Sequence, residues 1–345
     1  MRLKYLSLII SGIAISIAVL ATPSQPQGGY KVVKKTKLGG EGGWDYLLVD
    51  PQTQRVFISR STHVMVVDAD SGAILGDIPN TSGVHGIALV PDLNKGFTSN
   101  GRDNSVTIFD LKTLAVSKQV PVGKNPDAIL YDPASKLIFT ANGGSHDLTA
   151  LDPKAETVKG TIALDGRPEA GVSDEKGRVY FNLEDKSMIT EIDTKKLTVE
   201  AKWPLNPGEE PTGLSMDRKT RRLFSGCANK LMVVMDADNG HVITTLPIGS
   251  GVDGTEFDAS KKLAFSANGD GTLTVVREEA ADKFSVVENV RTQRGARTLS
   301  LDPKTHRIYL STAEFGPTPA PTAERPRPRP PMIPGTFTLL VVDEK

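Results

Sequence analysis

The chain has 345 residues and a formal net charge of zero, because 41 lysines and arginines balance 41 aspartates and glutamates. A neutral chain does not attract a polyanion over long range, so nucleic-acid binding is disfavoured and would need a local basic patch. The single cysteine, Cys227, excludes an intramolecular disulfide, so stability must come from packing.

The first residues have the organisation of a signal peptide. Arg2 and Lys4 precede an apolar run over residues 6–20, and a small-residue cleavage pattern follows. The run is short for a membrane span, and the polar segment 22–29 has no stop-transfer charges, which makes it a linker. We therefore predict a signal peptide over residues 1–21 and a periplasmic or secreted mature protein without a transmembrane span. An uncleaved anchor is the alternative.

A pattern of strand, turn and second strand recurs seven times, at intervals of 40 to 44 residues. The residues that open the turn are Asp50, Val90, Asp132, Asp174, Asp217, Asp258 and Asp302. An aromatic residue follows each of them by seven positions: Phe57, Phe97, Phe139, Phe181, Phe224, Phe265 and Tyr309. A sheet of this size cannot bury both faces until other units pack against it around an axis. The chain is therefore predicted to be all-β, a seven-bladed β-propeller with four antiparallel strands per blade.

The strands of one blade can be identified in the third unit. They are predicted over residues 128–131, 137–141, 147–151 and 157–164, separated by Asp-Pro, Asn-Gly-Gly and Asp-Pro-Lys turns. In six of the seven units the third strand ends on an aspartate: Asp68, Asp110, Asp152, Asp193, Asp236 and Asp343. A carboxylate in this place accepts hydrogen bonds from the backbone that follows it, so we interpret these aspartates as turn formers.

The two ends of the chain are predicted to pair in one blade. The last unit supplies three strands before the sequence stops, and the segment 30–38 matches the outer strands of the other units. An unpaired edge strand exposes backbone hydrogen-bonding groups, so a closed ring should use residues 30–38 as the fourth strand of the seventh blade. The propeller is thus predicted to span residues 30–345 as a single domain.

Several second strands carry a motif that ends in asparagine. It occurs as Gly-Phe-Thr-Ser-Asn over residues 96–100, as Ile-Phe-Thr-Ala-Asn over 138–142 and as Ala-Phe-Ser-Ala-Asn over 264–268. Together with the third strand that ends in aspartate, these motifs resemble YVTN repeats. The chain resembles the YncE-like family of exported, WD40-like, seven-bladed propellers. The resemblance implies the fold and export; propellers of similar shape serve as binding scaffolds, lactonases, lyases and partners of redox enzymes.

Polar positions that differ between blades indicate where function lies, because positions that all blades share hold the blade together. The first residue of each inner strand, five before the turn residue, is polar in every unit: Asp45, His85, Asp127, Glu169, Thr212, Asp253 and Arg297. In a propeller these side chains surround one mouth of the central channel. We predict that they form a ligand-binding ring; a solvated rim without a ligand is the alternative.

A second ring is predicted at the same mouth, on the loops between second and third strands. Its candidate residues are Arg60, His63, Arg102, Asn142, His146, Glu184, Cys227 and Asn268. Asn142 and Asn268 precede glycine and are alternatively turn formers. Cys227 is interpreted as a buried or unpaired thiol, because a nucleophilic thiol needs a lowered pKa.

The rings offer ligands for two kinds of metal. Asp127, Glu169 and Asp253 present oxygen atoms that suit Ca²⁺ or Mg²⁺, whereas His85 and His63 suit Zn²⁺ or a general base. A bound metal would polarise the carbonyl of a lactone or an ester. Neither set has the spacing of a local metal motif, so the sequence assigns no cofactor with certainty and no catalytic residue.

The seventh unit contains an insertion between its second and third strands. Residues 314–334 include the run Arg325-Pro326-Arg327-Pro328-Arg329-Pro330-Pro331, which favours an extended polyproline II conformation. The insertion leaves the ring on the face that carries both polar rings. We predict a lid over the mouth or a contact for a partner or an anionic ligand; a passive linker is the alternative.

Three functions from different classes follow. The main prediction is an exported, monomeric binding protein or scaffold that presents its polar mouth to a small molecule, a metal or a partner protein. The alternative is a metal-assisted hydrolase or lyase of the lactonase type. The third, nucleic-acid binding, would require an affinity that falls steeply with salt.

Overall fold

The computed structural model describes residues 29–322, 328 and 330–344. The predicted signal peptide (1–21), the linker up to residue 28, and Arg325, Arg327 and Arg329 of the insertion lie outside the described residues. Within the described ranges, no helix is long and apolar enough to cross a membrane.

The described residues form seven antiparallel sheets of four strands each. The first strand along the chain, β1, spans Tyr30–Lys37. Blade 1 then contains β2 (Leu47–Asp50), β3 (Arg55–Ser59), β4 (Val64–Asp68) and β5 (Ile74–Ile78). Blade 2 contains β6 (Val84–Val90), β7 (Lys95–Asn100), β8 (Ser105–Asp110) and β9 (Val116–Pro121), and blade 3 contains β10 (Pro126–Asp132), β11 (Leu137–Asn142), β12 (Asp147–Asp152) and β13 (Thr157–Ala163).

The remaining blades follow the same order. Blade 4 contains β14 (Pro168–Ser173), β15 (Arg178–Leu183), β16 (Met188–Asp193) and β17 (Thr198–Pro204), and blade 5 contains β18 (Pro211–Asp217), β19 (Arg222–Cys227), β20 (Leu231–Asp236) and β21 (Val242–Pro247). Blade 6 contains β22 (Val252–Asp258), β23 (Leu263–Asn268), β24 (Thr272–Ala280) and β25 (Lys283–Arg291), and blade 7 contains β26 (Leu299–Leu301), β27 (Ile308–Thr312) and β28 (Thr338–Glu344). Two short 3₁₀ helices span Pro91–Leu93 and Glu184–Lys186. The predicted seven-bladed β-propeller is confirmed.

The predicted closure of the ring is also confirmed. Strand β1 pairs antiparallel with β28, from Tyr30 opposite Glu344 to Lys37 opposite Thr338, and the sheet order of blade 7 is β1-β28-β27-β26. Tyr30 is buried and packs edge-on against Phe265 of blade 6, with 5.3 Å between ring centroids. The N-terminal strand therefore joins the two ends of the chain and contacts the neighbouring blade.

The repeated residues perform the structural roles that the pattern predicts. All seven aromatic residues that follow the turns are 0% exposed. The third-strand aspartates accept backbone hydrogen bonds in the next turn: Asp110 Oδ1, for example, accepts from the amides of Lys112 and Thr113 at 2.9 and 2.8 Å. The aromatic residues thus fill the space between sheets, and the carboxylates form the turn to the outer strand.

The inner strands surround a central channel. Each inner strand contacts the inner strands of the next and the preceding blade, and β26 of blade 7 contacts β2 of blade 1. A cavity of about 560 Å³ lies between them. The residues at the start of the inner strands are therefore brought from all parts of the chain to one end of this channel.

Candidate functional site

The first polar ring is positioned by irregular backbone at the start of the inner strands. In blade 3 the pairing of β10 with β11 shifts between Pro126 and Ile129, and blades 2, 4, 5 and 6 have a register shift at the equivalent place. A bulge takes its residues out of the ladder and re-aims their side chains. In blades 1 and 7 the inner strand begins two residues after Asp45 and Arg297. The ring side chains are thereby free to turn toward the channel.

His85 lies between carboxylates of two neighbouring blades. Its Nδ1 atom is 2.6 Å from Asp45 Oδ2 and 3.7 Å from Asp127 Oδ1. Burial disfavours the charged imidazole, but the hydrogen bond to Asp45 and the charges of Asp127, Asp45 and Asp253 outweigh it and raise the pKa of His85 to about 9. The three side chains keep 17 to 30% of their surface exposed, so a solute in the mouth can reach them.

Arg297 links the same cluster to blade 6. Its Nε atom donates to Asp253 Oδ2 at 2.5 Å, and its Nη2 atom lies 3.6 Å from Asp45 Oδ1. Asp127, His85, Asp45, Arg297 and Asp253 therefore form a chain of alternating charge along the rim. The structure brings these five predicted ring residues together.

Blade 4 adds two more carboxyl groups to the mouth. Burial raises the pKa of Glu169, and the nearby charge of Asp127 and a contact with the Glu184 carboxyl raise it further. Glu184, which was predicted in the second ring, pairs with Arg167. Arg167 was not predicted from the sequence; its ion pair with Glu184 in the structure assigns it to the mouth.

The mouth has more carboxyl groups than cations to balance them. Five carboxyl groups, those of Asp45, Asp127, Glu169, Glu184 and Asp253, accompany three cationic side chains, those of His85, Arg167 and Arg297. Burial and neighbouring carboxylates raise the pKa values of Asp127 and Asp253 despite the opposing effects of His85 and Arg297. Burial and the neighbouring carboxylates thus both oppose ionisation of Asp127 and Asp253.

Tyr46 belongs to the mouth and escaped the sequence analysis. It comes from blade 1 but packs against the core cluster of blades 3 and 4, so its side chain reaches across the channel. Burial raises its pKa, and so do the charges of Asp127, Glu169, Asp253 and Asp45. The equivalent positions of the other repeats hold small residues: Gly86, Ala128, Ala170, Gly213, Gly254 and Thr298. One large residue among small ones was the signal that could have identified it.

Four residues of the predicted second ring do not face the mouth, which corrects their assignment as ligand-binding residues. Arg60, Asn142, Cys227 and Asn268 are all 0% exposed. The amide of Asn142 donates to Thr149 Oγ1 at 2.9 Å, and that of Asn268 donates to Thr274 Oγ1 at 3.0 Å. Neither asparagine has a positive φ. They therefore connect the second and third strands of a blade, and their alternative interpretation as left-handed turn formers is wrong as well.

Arg60 and Cys227, the other two buried residues of the predicted second ring, have different surroundings in the structure. The guanidinium of Arg60 donates to backbone carbonyls of residues 39–43 and lies 3.7 Å from the centre of the Phe337 ring. Burial lowers the pKa of Arg60 to about 10. Cys227 is a free and buried thiol, as predicted, and burial raises its pKa to about 12.

The remaining predicted residues do not join the charged cluster. Thr212 donates its hydroxyl to the Val252 carbonyl at 2.9 Å and links two blades. His63 Nε2 lies 3.6 Å from Asp77 Oδ1 on the outer strand β5. Arg102 and His146 are exposed. In the part of the chain that the structure describes, none of these side chains forms an ion pair with a member of the charged cluster.

The insertion of blade 7 starts beside the mouth. Its two ends pair through Gly316 and Pro331 and through Ile333 and Glu314, each with a backbone hydrogen bond of 2.9 Å. Phe315 packs against Trp44, with 6.0 Å between ring centroids. Trp44 directly precedes Asp45, so the base of the insertion supports a segment that carries two mouth residues. A lid over the mouth stays a prediction.

The residues that meet the distance requirement for a metal differ in part from the predicted set. One ligand atom from each of Asp45, His85 and Asp127 lies within 4.8 Å of the other two. Asp127 belongs to the predicted oxygen set, whereas Glu169 and Asp253 are outside this group. Two carboxylates and an imidazole suit Zn²⁺ or Mn²⁺ better than Ca²⁺, which prefers six to eight oxygen ligands. The donor set thus fits a metal, provided that His85 gives up its proton.

His85 is expected to titrate near pH 9 in chelator-treated protein, when its imidazole protons are followed by NMR. Because this pKa exceeds the value of about 6.5 in an unfolded chain, the charged ring stabilises the fold fully below that pH and the contribution disappears as the pH rises through 9. Asp45→Asn should move the titration of His85 toward neutral pH. His63 is an internal control, because burial lowers its pKa whereas that of His85 is raised. A titration of His85 at or below pH 6.5 would contradict the geometry.

Comparison with known proteins identifies the fold. No protein-family model matches the chain, and no curated protein matches it. Among solved structures it is similar to Kuenenia stuttgartiensis hydrazine synthase, with a TM-score of 0.69 and 16% identity over 80% of this chain and 94% of that chain. It is also similar to U3-55K (TM-score 0.75, 8% identity, 90% of this chain and 99% of that chain) and to the RRP9 WD40 repeats (0.74, 8%, 91% and 97%). At these identities the similarity concerns the propeller alone.

Proposed function

We propose that the protein is an exported binding protein whose channel mouth binds a divalent metal ion through Asp45, His85 and Asp127. The observation that carries the proposal is the convergence of these three ligand atoms within 4.8 Å. Export is supported by the signal-peptide pattern of the N-terminal residues and by the resemblance to the YncE-like family.

The electrostatics of the mouth favour a cation as occupant. Glu169, Asp127 and Asp253 have raised pKa values because they are buried beside one another. A metal ion between Asp45, His85 and Asp127 would replace the imidazole proton and supply positive charge to the neighbouring carboxyl groups. Arg297 would remain bound to Asp253 and orient Asp45, in the role that second-shell groups have at metal sites.

Calorimetric titration of chelator-treated protein with Zn²⁺, Mn²⁺, Ca²⁺ and Mg²⁺ tests this function. We expect one ion to bind per chain, with Zn²⁺ or Mn²⁺ preferred to Ca²⁺. Asp45→Asn removes a ligand and should weaken binding by about 100-fold or more. His146→Gln is the matched control, because this histidine is exposed on the same face and outside the cluster; its affinity should equal that of the wild type. Absence of heat with all four ions would end the metal proposal.

A hydrolase of the lactonase type would use the same metal to polarise a carbonyl group. Cys227 cannot serve it as a nucleophile, because the thiol is buried and its pKa is raised. The reaction would then depend on metal-bound water. Metal binding is therefore the first property to measure for both functions.

A further inference from the structure

The channel beyond the mouth is itself a chamber of ligand size. Its volume of about 560 Å³ lies in the range of about 300 to 1,000 Å³ that is typical of small-molecule sites. Tyr46 stands at the end next to the charged mouth, and Gln52, Pro91, Pro133 and Glu175 stand at the opposite end. The chamber thus extends away from the charged cluster, and Asp253 is the member of that cluster that also lines the chamber.

The wall of this chamber combines polar and apolar side chains. Leu48, Leu89, Leu130, Val172 and Phe257 line it, and each keeps part of its surface exposed within the ring. Each of them also packs against a core cluster between the blades, so only the remaining exposed part of its surface is left for another apolar group to cover. An apolar ligand body would supply that contact.

Glu256 adds a carboxyl group to the wall of the chamber. The position two residues before the turn residue holds Leu48, Ala88, Leu130, Val172, Ser215 and Ser300 in the other blades. Blade 6 places Glu256 there, and the side chain lines the chamber. Burial raises its pKa to about 7. A carboxylate in such surroundings is costly unless a partner compensates its charge.

Arg218 also lines the chamber, and its charge lowers the pKa of Glu256 against the effect of burial. The Nε atom of Arg218 donates to the Ser173 carbonyl at 2.9 Å and lies 3.2 Å from Glu175 Oε1. Among residues 29–322 and 330–344, no basic side chain lies within 4.0 Å of the Glu256 carboxyl. The carboxyl group is therefore available to a ligand in the chamber.

We propose that the channel chamber binds a small molecule with an apolar body and one protonated amine, which pairs with Glu256. The apolar body packs against Leu130, Val172 and Phe257, and the ammonium group donates hydrogen bonds to the carboxylate. A charged hydrogen bond discriminates against a neutral analogue of the same shape. This site does not depend on a metal at the mouth.

Three probes that share one apolar body test the proposal: 4-phenylbutylamine, 4-phenylbutanol and 4-phenylbutyrate. Their dissociation constants for the full chain are measured in metal-free buffer, by calorimetry and by ligand-observed NMR. We expect the amine to bind about tenfold or more tightly than the alcohol. The carboxylate probe should bind more weakly than both, because it would face Glu256. Equal binding of all three probes, or no binding of any, would overturn the proposal.

Two variants locate the binding. Glu256→Gln keeps the size of the side chain and should reduce the preference for the amine over the alcohol to less than about twofold. Asp103→Asn, at an exposed position outside the mouth cluster and outside the chamber, is the carboxylate control and should leave the preference intact. Preference for the amine that survives in Glu256→Gln would refute the chamber site.

The position of the apolar body is tested separately. Val172→Phe should reduce the affinity for the amine and the alcohol alike, because the larger side chain fills the chamber. Should that variant unfold, nuclear Overhauser effects between the probe's phenyl protons and the methyl groups of Leu130 and Val172 in the wild type give the same information. Absence of these effects with bound probe would contradict the assignment.

Discussion

Removal of residues 30–37 is expected to destabilise the protein by about 5 kcal/mol or more, which is the whole stability of many domains. Strand β1 pairs along its length with β28 and buries Tyr30 against Phe265. Without it, β28 becomes an exposed edge and blade 7 loses one of its four strands. The ring would then be open at the point where the two ends of the chain meet.

Thermal and urea unfolding monitored by circular dichroism measure this effect. A variant that lacks the residues before Gly29 but keeps β1 is the matched control, and its melting temperature should be unchanged. A synthetic peptide of residues 30–38 added to the truncated protein should restore part of the lost stability, because it can pair with β28 in place of β1. The recovery should be incomplete, because the peptide is not linked to the chain. Tyr30→Ala is a milder variant with an expected loss of about 3 kcal/mol. Identical melting of wild type and truncation would refute the closure.

Arg60→Met is expected to cost about 2 to 3 kcal/mol of stability and to weaken metal binding at the mouth. The guanidinium donates to the carbonyls of Gly39, Glu41, Gly42 and Gly43, at distances from 2.8 to 3.3 Å. These residues join β1 of blade 7 to the inner strand of blade 1. Loss of the donors leaves the carbonyls of the loop without partners and frees the segment that leads to Asp45 and Tyr46.

Arg60→Lys distinguishes geometry from charge. A single ammonium group cannot reach four carbonyls that a planar guanidinium serves at once, so Arg60→Lys should be nearly as destabilising as Arg60→Met. Arg102→Met, at an exposed position of the same predicted ring, should change stability by less than about 0.5 kcal/mol. Equal stability of Arg60→Met and Arg102→Met would show that the buried guanidinium does not hold the loop.

The mouth and the chamber use the same device in two ways. Blades of one design place unlike residues at equivalent positions, such as His85 and Asp127 at the mouth, and Glu256 of blade 6 where blade 4 has Val172 in the channel wall. Tyr46 stands between the two sites, and the charges of the mouth carboxylates raise the pKa of its hydroxyl group. We therefore expect ligands of both sites to shift the fluorescence or NMR signals of this tyrosine.

Much of the architecture was predictable because a repeat makes each unit a control for the others. The regular spacing of turn residues and buried aromatics indicated the number of blades, and the missing strand in the last unit indicated the pairing of β1 with β28. The same alignment of repeats placed Asp45, His85, Asp127, Glu169, Asp253 and Arg297 at one end of the channel. These inferences depend on backbone position, which the period of the repeat determines.

Which way a side chain points at the end of a strand was beyond the sequence. Arg60 and Glu184 occupy equivalent positions in blades 1 and 4, yet Arg60 is fully buried under a loop and Glu184 reaches the mouth. The side chains of Asn142 and Asn268 point into their own blades, because hydroxyl groups on the third strand accept hydrogen bonds from their amide groups. The packing of neighbouring loops and blades decides these orientations.

The sequence alone therefore determined the all-β ring, its closure and the identity of the polar positions around its axis, because these follow from periodicity. The tertiary structure alone decided that His85 sits between Asp45 and Asp127, that Tyr46 crosses the channel and that Glu256 lines the central chamber. The physical reason is that each of these contacts joins residues from different blades or different faces of a strand, and the distances between them depend on how the blades pack around the axis.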